Sequence, residues 1–180
     1  MTSNLYLVIA AYNEEETILQ TIESLQTLGH KIIIINDCSN DETGGIIKDL
    51  NVHVIENKFN LGYDLSITKG IKEAFDKGAE NVVTCDADGQ HRATDVEKLI
   101  KIINSPAVDF ASGIRNKYNR NIEKIIGFFS NFIYRNKDPF CGLKGYSRNF
   151  YNCFHKFPIS LNLGTLPFAI IKKNNLTYEF

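Results

Sequence analysis

Short apolar runs alternate with longer amphipathic segments along the first 112 residues, and this rhythm constrains the fold more than any other feature. The run Ile32–Ile35 is apolar at every position, as in strands that are covered on both faces. Between such runs, apolar residues recur at the three- and four-residue spacing of a helix with one buried face. This alternation predicts βαβ units, and therefore an α/β fold with a mainly parallel sheet flanked by helices.

The predicted elements can be given bounds. The strands are Leu5–Ala10, placed at the centre of the sheet, Lys31–Asn36, Val52–Glu56, Asn81–Cys85 and Phe110–Ser112. The helices between them are Glu15–Leu28, Thr43–Leu50, Asp64–Lys77 and Thr94–Asn104. After residue 112 the pattern predicts an aromatic-rich helix over Asn121–Arg135, then a loop with a short strand, a last helix and a closing strand. A chain of 180 residues is most simply a single domain.

Charge is distributed unevenly along the chain. The net charge of −1 argues against a nucleic-acid binder held by bulk charge. Residues 1–110 hold 9 Lys and Arg against 18 Asp and Glu, whereas residues 111–156 hold 9 against 2. An acidic front suggests a bound cation, and a basic stretch behind it suggests an anion or an anionic surface. The alternative is surface charge that segregated without a function.

The sequence also indicates a cellular compartment. No apolar run approaches the roughly 20 residues that a membrane-spanning helix needs. No basic segment precedes the first apolar run, so a signal peptide is not predicted. The four cysteines show neither a CxxC pair nor zinc-ligand spacing. Reduced thiols in a cytoplasmic protein are therefore the expectation.

Polar residues follow three of the predicted strands. In an open α/β sheet, ligands bind outside the carboxyl ends of the strands. By this rule Glu14, Asp37, Asp86 and Asp88 are expected at one edge. A carboxylate after a strand is often only a helix cap, but it is less probable that all four are caps.

Asp86 and Asp88 directly follow the apolar strand VVTC. Two carboxylates two positions apart at a turn can converge on one cation, and oxygen ligands favour Mg²⁺ or Mn²⁺. Gln90 offers a further oxygen, and His91 a second-sphere group or a ligand for Mn²⁺. The pair is expected to lie within about 6 Å, and mutual repulsion is expected to raise the pKa of one carboxyl.

Six segments in order resemble the family-2 glycosyltransferases of the GT-A fold, and among them the polyprenyl-phosphate (dolichol-phosphate) sugar transferases. The segments are AAYNEEETI, INDCSNDET, NLGYDLSITKGI, VVTCDADGQH, ASGIRN and DPFCGLKGYSR. The resemblance covers roughly residues 4–150 and implies one catalytic domain over residues 1–180, with a C-terminus short for the family. Cys38 stands where the family commonly has glycine.

The resemblance implies a nucleotide pocket. Ala10, Tyr12 and Glu14 match the segment that lines the base and ribose pocket in the family. Asp37 matches the acid that hydrogen-bonds the nucleobase. We therefore expect Tyr12 and Asp37 to share one pocket with Asp88.

The resemblance also implies the reaction centre. Asp86, which belongs to the nucleotide site as well, and Asp88 match the metal-binding DxD, with Gln90 as a further ligand. Arg115 matches the basic residue that meets the nucleotide or lipid phosphates. Asp138 matches the proposed catalytic base, although an Asp before a proline is also a common turn residue.

The predicted function is that of an inverting glycosyltransferase, which uses Mg²⁺ or Mn²⁺ to move a sugar from a UDP- or GDP-linked donor to a polyprenyl phosphate or a glycan. Residues 115–137 are basic and aromatic, which favours contact with an anionic membrane surface at its cytoplasmic face. A core-packing helix with a solvated basic side is the alternative.

Three other functions are weighed. One is a non-catalytic sugar-nucleotide binding or scaffold protein. A nucleotidyltransferase would open with a Gly-rich, Arg-bearing phosphate loop, which AAYNEEETI lacks. A haloacid-dehalogenase-like phosphatase would carry its DxD after the first strand, with Thr or Ser in place of Gln90.

Overall fold

The computed structural model describes residues 4–114, 138, 141–154 and 166–179. The strands in this part are β1 Leu5–Ala11, β2 Lys31–Asn36, β3 His53–Glu56, β4 Asn81–Asp86, β5 Phe110–Ser112, β6 Lys144–Ser147 and β7 Tyr178–Glu179. The helices are α1 Ile18–Gln26, α2 Thr43–Lys48, α3 Tyr63–Asp76, α4 Ala93–Ile103, α5 Arg148–Phe154 and α6 Leu166–Asn174. Arg115, the predicted helix Asn121–Arg135 and the basic segment 115–137 lie outside the described residues.

The seven strands form one sheet in the order β3-β2-β1-β4-β6-β5-β7. β1 lies inside the sheet, parallel to β2 on one side and to β4 on the other. β6 runs antiparallel between β4 and β5, so the sheet is mixed. The predicted α/β architecture is therefore confirmed, with one reversed strand and the short helix α5 that the periodicity did not indicate.

Alternate residues of the strands face two separate cores. Leu5, Leu7 and Ile9 of β1 point into the core that α1 and α4 cover. Tyr6 and Val8 point into the opposite core, which α3 and α6 cover. Both faces are buried, which accounts for the continuous apolar runs in the sequence.

Gly70 brings α3 close to the sheet. A Cβ atom at this position would lie 2.4 Å from Val8 Cγ1 and 2.3 Å from Ile35 Cδ1. Since real carbon contacts of this kind are longer, only glycine permits this approach. The first residue of α3, Tyr63, reaches the last residue of β4, Asp86, with its hydroxyl group.

The parallel arrangement sets where the loops lie. The carboxyl ends of β1, β2 and β4 lie at one edge of the sheet, which we call the carboxyl edge, and their first residues lie at the amino edge. Within the part of the chain that the structure covers, no helix combines the length and apolarity needed to cross a membrane.

Candidate functional site

The loops that follow β1 and β2 are bonded to each other. The backbone N–H of Asn13 donates to Ser39 Oγ at 3.1 Å, and that of Asn40 donates to Asn13 Oδ1 at 2.8 Å. The N–H of Glu14 donates to Thr43 Oγ1 at 2.8 Å. The two loops are thus one hydrogen-bonded unit at the carboxyl edge.

Two residues of this unit adopt a left-handed backbone conformation. The φ angle of Asn13 is 55° and that of Cys38 is 64°. Asn tolerates this region because its short polar side chain bonds locally, whereas cysteine has no such compensation. The family's common glycine at the position of Cys38 therefore has a conformational explanation.

Tyr12 and Ala10 flank the open side of this edge. The Tyr12 side chain is 44% exposed, and it has no hydrogen bond to any described residue. Ala10 is half-buried and lies between Ile35 and Asp86 in the sheet register. An exposed ring beside a small residue leaves a flat wall on which a base could stack.

Asp37 is buried, and its carboxylate is occupied by neighbouring donors. It accepts hydrogen bonds from Asn57 Nδ2 at 2.8 Å, from the Leu61 N–H at 2.9 Å and from the Gly62 N–H at 2.8 Å. Burial by itself would raise the pKa of Asp37, but these bonds, together with the Ser66 hydroxyl, outweigh burial and lower it. Asp37 therefore fixes the loop that leads into α3.

Asp86 ends β4 and is held from three sides. Its Oδ1 accepts the Tyr63 hydroxyl at 2.8 Å, and its Oδ2 lies 3.0 Å from His91 Nε2. Gly142, two residues before β6, packs against it, and a Cβ at this position would lie 1.9 Å from Asp86 Oδ1. Burial opposes ionisation of Asp86, yet His91, Tyr63 and the charge of Lys144 outweigh it and lower its pKa.

The expectation that one carboxyl of the DxD pair has a raised pKa is wrong for Asp86, because donors surround it. Among the described carboxyl groups at this edge, Glu14 is the one whose pKa is raised. Burial is the largest cause, and the charges of Asp88, Asp41 and Asp86 add to it against a hydrogen bond from Thr17. Glu14 is therefore electrostatically coupled to both acids of the DxD pair.

Asp88 lies on the turn after β4 and is half-buried. Its Oδ1 accepts the Gln90 N–H at 3.0 Å, while the Gln90 side chain is exposed. Gly89, with φ 73°, permits the turn. The hydroxyls of Thr17 and Thr21 both donate to the Ala87 carbonyl, at 3.0 and 3.1 Å, so α1 fixes the backbone of the turn.

The oxygen atoms at this edge can be compared with those that a divalent ion requires. Within residues 4–114, 138, 141–154 and 166–179, no three His, Cys, Asp or Glu side chains are grouped so that they could hold a metal ion by themselves. Asp86 and Asp88 supply hard oxygen atoms, and Glu14 adds negative charge. This set fits Mg²⁺ or Mn²⁺, which proteins often hold by one or two carboxylates while a phosphate-bearing substrate completes the coordination.

Two buried polar residues, Asp138 and Lys144, interact with each other electrostatically. Asp138, the predicted base, is fully buried, and its carbonyl accepts the Cys141 N–H at 3.3 Å. Lys144 of β6 is buried as well, and burial lowers its pKa against the charges of nearby acids, among them Asp86 and Asp138. Sequence reasoning missed Lys144.

Tyr63 was also missed by sequence reasoning. Its signal was its place directly after Gly62 at the start of a predicted helix, which puts it at the carboxyl edge. Lys144 had a weaker signal, since it stands inside the strand-like GLKGYS segment where a lysine is unexpected.

The fold of the chain matches that of a GT-A glycosyltransferase. The crystal structure of glucosyl-3-phosphoglycerate synthase from Mycobacterium tuberculosis, in complex with Mn²⁺, UDP and phosphoglyceric acid, superposes with a TM-score of 0.74. The match covers 99% of this chain and 68% of that chain at 14% identity. The predicted GT-A-like fold is thereby confirmed.

The profile of Glycosyl transferase family 2 matches residues 6–160, and the chain belongs to this family. An uncharacterised protein of Methanocaldococcus jannaschii is 36% identical over 136 residues, which cover 72% of this chain and 56% of that protein. The UDP-N-acetylglucosamine–dolichyl-phosphate N-acetylglucosaminyltransferase of Methanococcus voltae is 34% identical over 131 residues, 63% of this chain and 52% of that protein. The chain thus spans about half the length of these relatives.

Proposed function

We propose that this chain binds a nucleotide-diphosphate sugar and transfers the sugar, with inversion, to a polyprenyl phosphate. The observation that carries the proposal is the acidic cluster at the carboxyl edge, where Glu14, Asp86 and Asp88 are electrostatically coupled. The name of the Methanococcus voltae relative supports a UDP-linked donor and a lipid phosphate acceptor.

The donor would lie along the carboxyl edge. Tyr12 offers its exposed ring to the base, and Glu14 offers an acceptor to a ribose hydroxyl. Asp37 accepts hydrogen bonds from the backbone N–H groups of Leu61 and Gly62. We expect its carboxylate oxygens to accept a further hydrogen bond from the base. The diphosphate would then reach Asp88.

Sugar transfer builds negative charge on the leaving diphosphate. A divalent ion held by Asp86 and Asp88, with Gln90 as a further ligand, would supply Lewis-acid stabilisation of that charge. Tyr63 and His91 hold Asp86 in one orientation, so this ligand is already placed before a substrate arrives. Arg115 is proposed to contact the phosphates.

The proposed role of Asp138 depends on the chemical nature of the acceptor. A hydroxyl acceptor needs a base, and Asp138 is the proposed one. A lipid phosphate, whose second pKa is about 6, is largely ionised at neutral pH and needs little help. With this acceptor, Asp138 is proposed to position it.

A lipid acceptor requires contact with a membrane surface. The segment 115–137 supports such contact through its composition, with basic residues at Arg115, Lys117, Arg120, Lys124, Arg135 and Lys137. We therefore propose peripheral association at the cytoplasmic face, driven by anionic lipids.

Calorimetry with UDP and GDP, with and without Mn²⁺, tests the donor site. We expect one nucleotide to bind with a strong dependence on Mn²⁺, and Asp88→Ala to abolish that dependence. The matched control is Asp95→Ala, since Asp95 lies on α4 in a surface cluster with Arg92 and Lys98.

Transfer of a labelled sugar from the preferred donor to a polyprenyl phosphate in detergent tests the reaction. Binding without transfer or donor hydrolysis would favour the non-catalytic binding protein. Absence of binding by every nucleotide would overturn the proposal.

A further inference from the structure

Lys144 is a charged side chain in an unusual place. It is only 5% exposed, and its ammonium group has no hydrogen bond or ion pair with any residue that the structure describes. A buried ammonium is costly unless nearby charges compensate it. A lysine that stays charged at this point of β6 therefore requires negative charge nearby.

Among the described residues, several acidic groups act on Lys144. Burial lowers its pKa, whereas the carboxylates of Asp86, Asp64 and Asp138 favour its charged form. Lys144 pairs in register with Thr84 of β4, two residues before Asp86, so the side chains of all three lie on the same face of the sheet. Lys144 is thus the internal counter-charge of this acidic region.

Asp86 consequently stands between two different environments. On one side it is coupled to Glu14, whose own pKa is raised first by burial and then by neighbouring acids, Asp86 among them. On the other side Lys144 and His91 favour its ionised form. The negative charge that a divalent cation would meet at Asp86 is therefore already partly compensated by the protein.

We propose that Lys144 weakens the binding of a divalent cation alone and thereby makes cation binding depend on the diphosphate that arrives with it. The inference rests on the proposed function, because it concerns the same metal and nucleotide. A bare Mn²⁺ ion meets the repulsion of the fixed ammonium, which acts through a partly desolvated region where Coulomb interactions are stronger than in water. The negative charge of a diphosphate offsets this repulsion.

A purely structural role for Lys144 makes a different prediction. In that role its buried aliphatic stem fills space on one face of the sheet, and loss of that packing would loosen the site and weaken cation binding. A counter-charge role predicts the opposite sign, because removal of the ammonium leaves the carboxylates uncompensated and strengthens it. The direction of the change therefore separates the two roles.

The experiment measures Mn²⁺ affinity by electron paramagnetic resonance, first without nucleotide and then with saturating UDP or whichever nucleotide the wild type binds. Lys144→Met keeps much of the side-chain volume and removes the charge. We expect nucleotide-free Mn²⁺ affinity to rise about tenfold, a difference of about 1.4 kcal/mol. The gain in Mn²⁺ affinity that the nucleotide produces should shrink correspondingly.

Lys98→Met is the matched control, since it removes one positive charge from the exposed surface of α4. It should leave both Mn²⁺ affinities unchanged. Circular dichroism and thermal melting verify that each variant is folded. If Lys144→Met does not fold, Lys144→Gln removes the same charge and keeps a polar group for the buried site.

Unchanged or weakened nucleotide-free Mn²⁺ binding in a folded, neutral variant at position 144 would overturn the inference. The proposed function would survive that result, provided that the wild type binds Mn²⁺ together with nucleotide. A wild type that binds no Mn²⁺ even with nucleotide present would overturn both.

Discussion

Both edges of the sheet contain residues with a left-handed backbone, but these residues have different roles at the two edges. At the amino edge, left-handed residues end helices, as Gly29 does after α1 and Gly78 after α3. At the carboxyl edge, Asn13 and Cys38 are left-handed within loops that present polar groups to solvent. At one edge, left-handed glycines end helices without strain, whereas at the other edge left-handed non-glycine residues shape the loops of the candidate site.

Charge differs between the edges as well. The amino edge has an open groove of about 430 Å³ whose lining includes Lys31, Lys77, His30 and His53. Glu73, next to this groove, pairs with both His53 and Lys77. The carboxyl edge instead concentrates carboxylates, and burial together with the neighbouring negative charges raises the pKa of Glu14. Opposite charges are locally paired at one edge, whereas like charges are brought together at the other, which is typical of functional sites.

The largest effect is expected from a substitution at Gly142, which would disrupt the carboxyl edge. In Gly142→Ala the new methyl group would overlap Asp86 Oδ1, so the carboxylate must leave its Tyr63 and His91 partners. We expect Mn²⁺-dependent nucleotide affinity to fall about tenfold or more and unfolding free energy to fall by about 1–3 kcal/mol. Calorimetry and chemical denaturation measure the two effects.

Gly78→Ala is the matched change at the amino edge. Its φ of 88° strains an alanine, but the nearest atom to the new methyl group is Asn4 Nδ2 at 3.8 Å. Stability should fall by about 1–2 kcal/mol while nucleotide affinity stays unchanged. Equal losses of affinity in the two variants would contradict the functional division between the edges.

A smaller effect concerns one loop-binding carboxylate at each edge. Asp37 binds the loop before α3, and Asp109 binds Thr177 and Asn149 at the amino edge. Hydrogen bonds lower the pKa of both below its ordinary value, against burial. A lowered folded-state pKa stabilises the fold above the unfolded pKa, near 4, and this contribution is lost as pH falls through the folded value.

Asp37→Asn and Asp109→Asn should therefore each cost about 1–3 kcal/mol at pH 7. Each should also make unfolding free energy less dependent on pH below about 4. Denaturation series from pH 7 to 2.5 measure this, and only Asp37→Asn should weaken nucleotide binding. A variant as acid-sensitive as the wild type would show that its carboxylate is not the titrating group.

The smallest effect is expected from replacing single left-handed residues by glycine, which compares the backbone strain at two positions. Cys38→Gly removes the strain of a φ of 64° and should stabilise the fold by about 0.5 kcal/mol, after the larger chain entropy of glycine is subtracted. Asn175→Gly, at a φ of 52° after α6, should gain nothing because Asn tolerates this conformation. Paired urea melts test this, and a loss of stability in Cys38→Gly would show that its sulfur contact with the Lys58 carbonyl matters more.

Much of the fold could be predicted because periodicity is a local signal. β2 and β5 have the predicted bounds, and α3 begins one residue earlier than predicted. The antiparallel position of β6 was not predictable in this way, since a four-residue strand with a buried lysine has no clear period. Its place depends on pairing with β4, about 60 residues away in the sequence.

Of the candidate site, too, one part could be predicted from the sequence and another part could not. Parallel topology alone predicts that Glu14, Asp37 and Asp86 share an edge. Their partners depend on long-range packing, as with the Tyr63 hydroxyl on Asp86 and the Leu61 and Gly62 amides on Asp37. Sequence spacing therefore located the carboxylates but not the donors that determine which pKa falls and which rises.

The bonds between the loops after β1 and β2 have a consequence for how such chains diverge. All five side-chain-mediated bonds join residues 26 to 29 positions apart, so each loop acts as the template for the other. An insertion in either loop would disrupt several bonds at once, whereas a substitution on the outer face of α1 would disturb none. The two loops should therefore change together during evolution. Chimaeras that carry only one of the two loops from a relative should fold poorly, even when the relative is close.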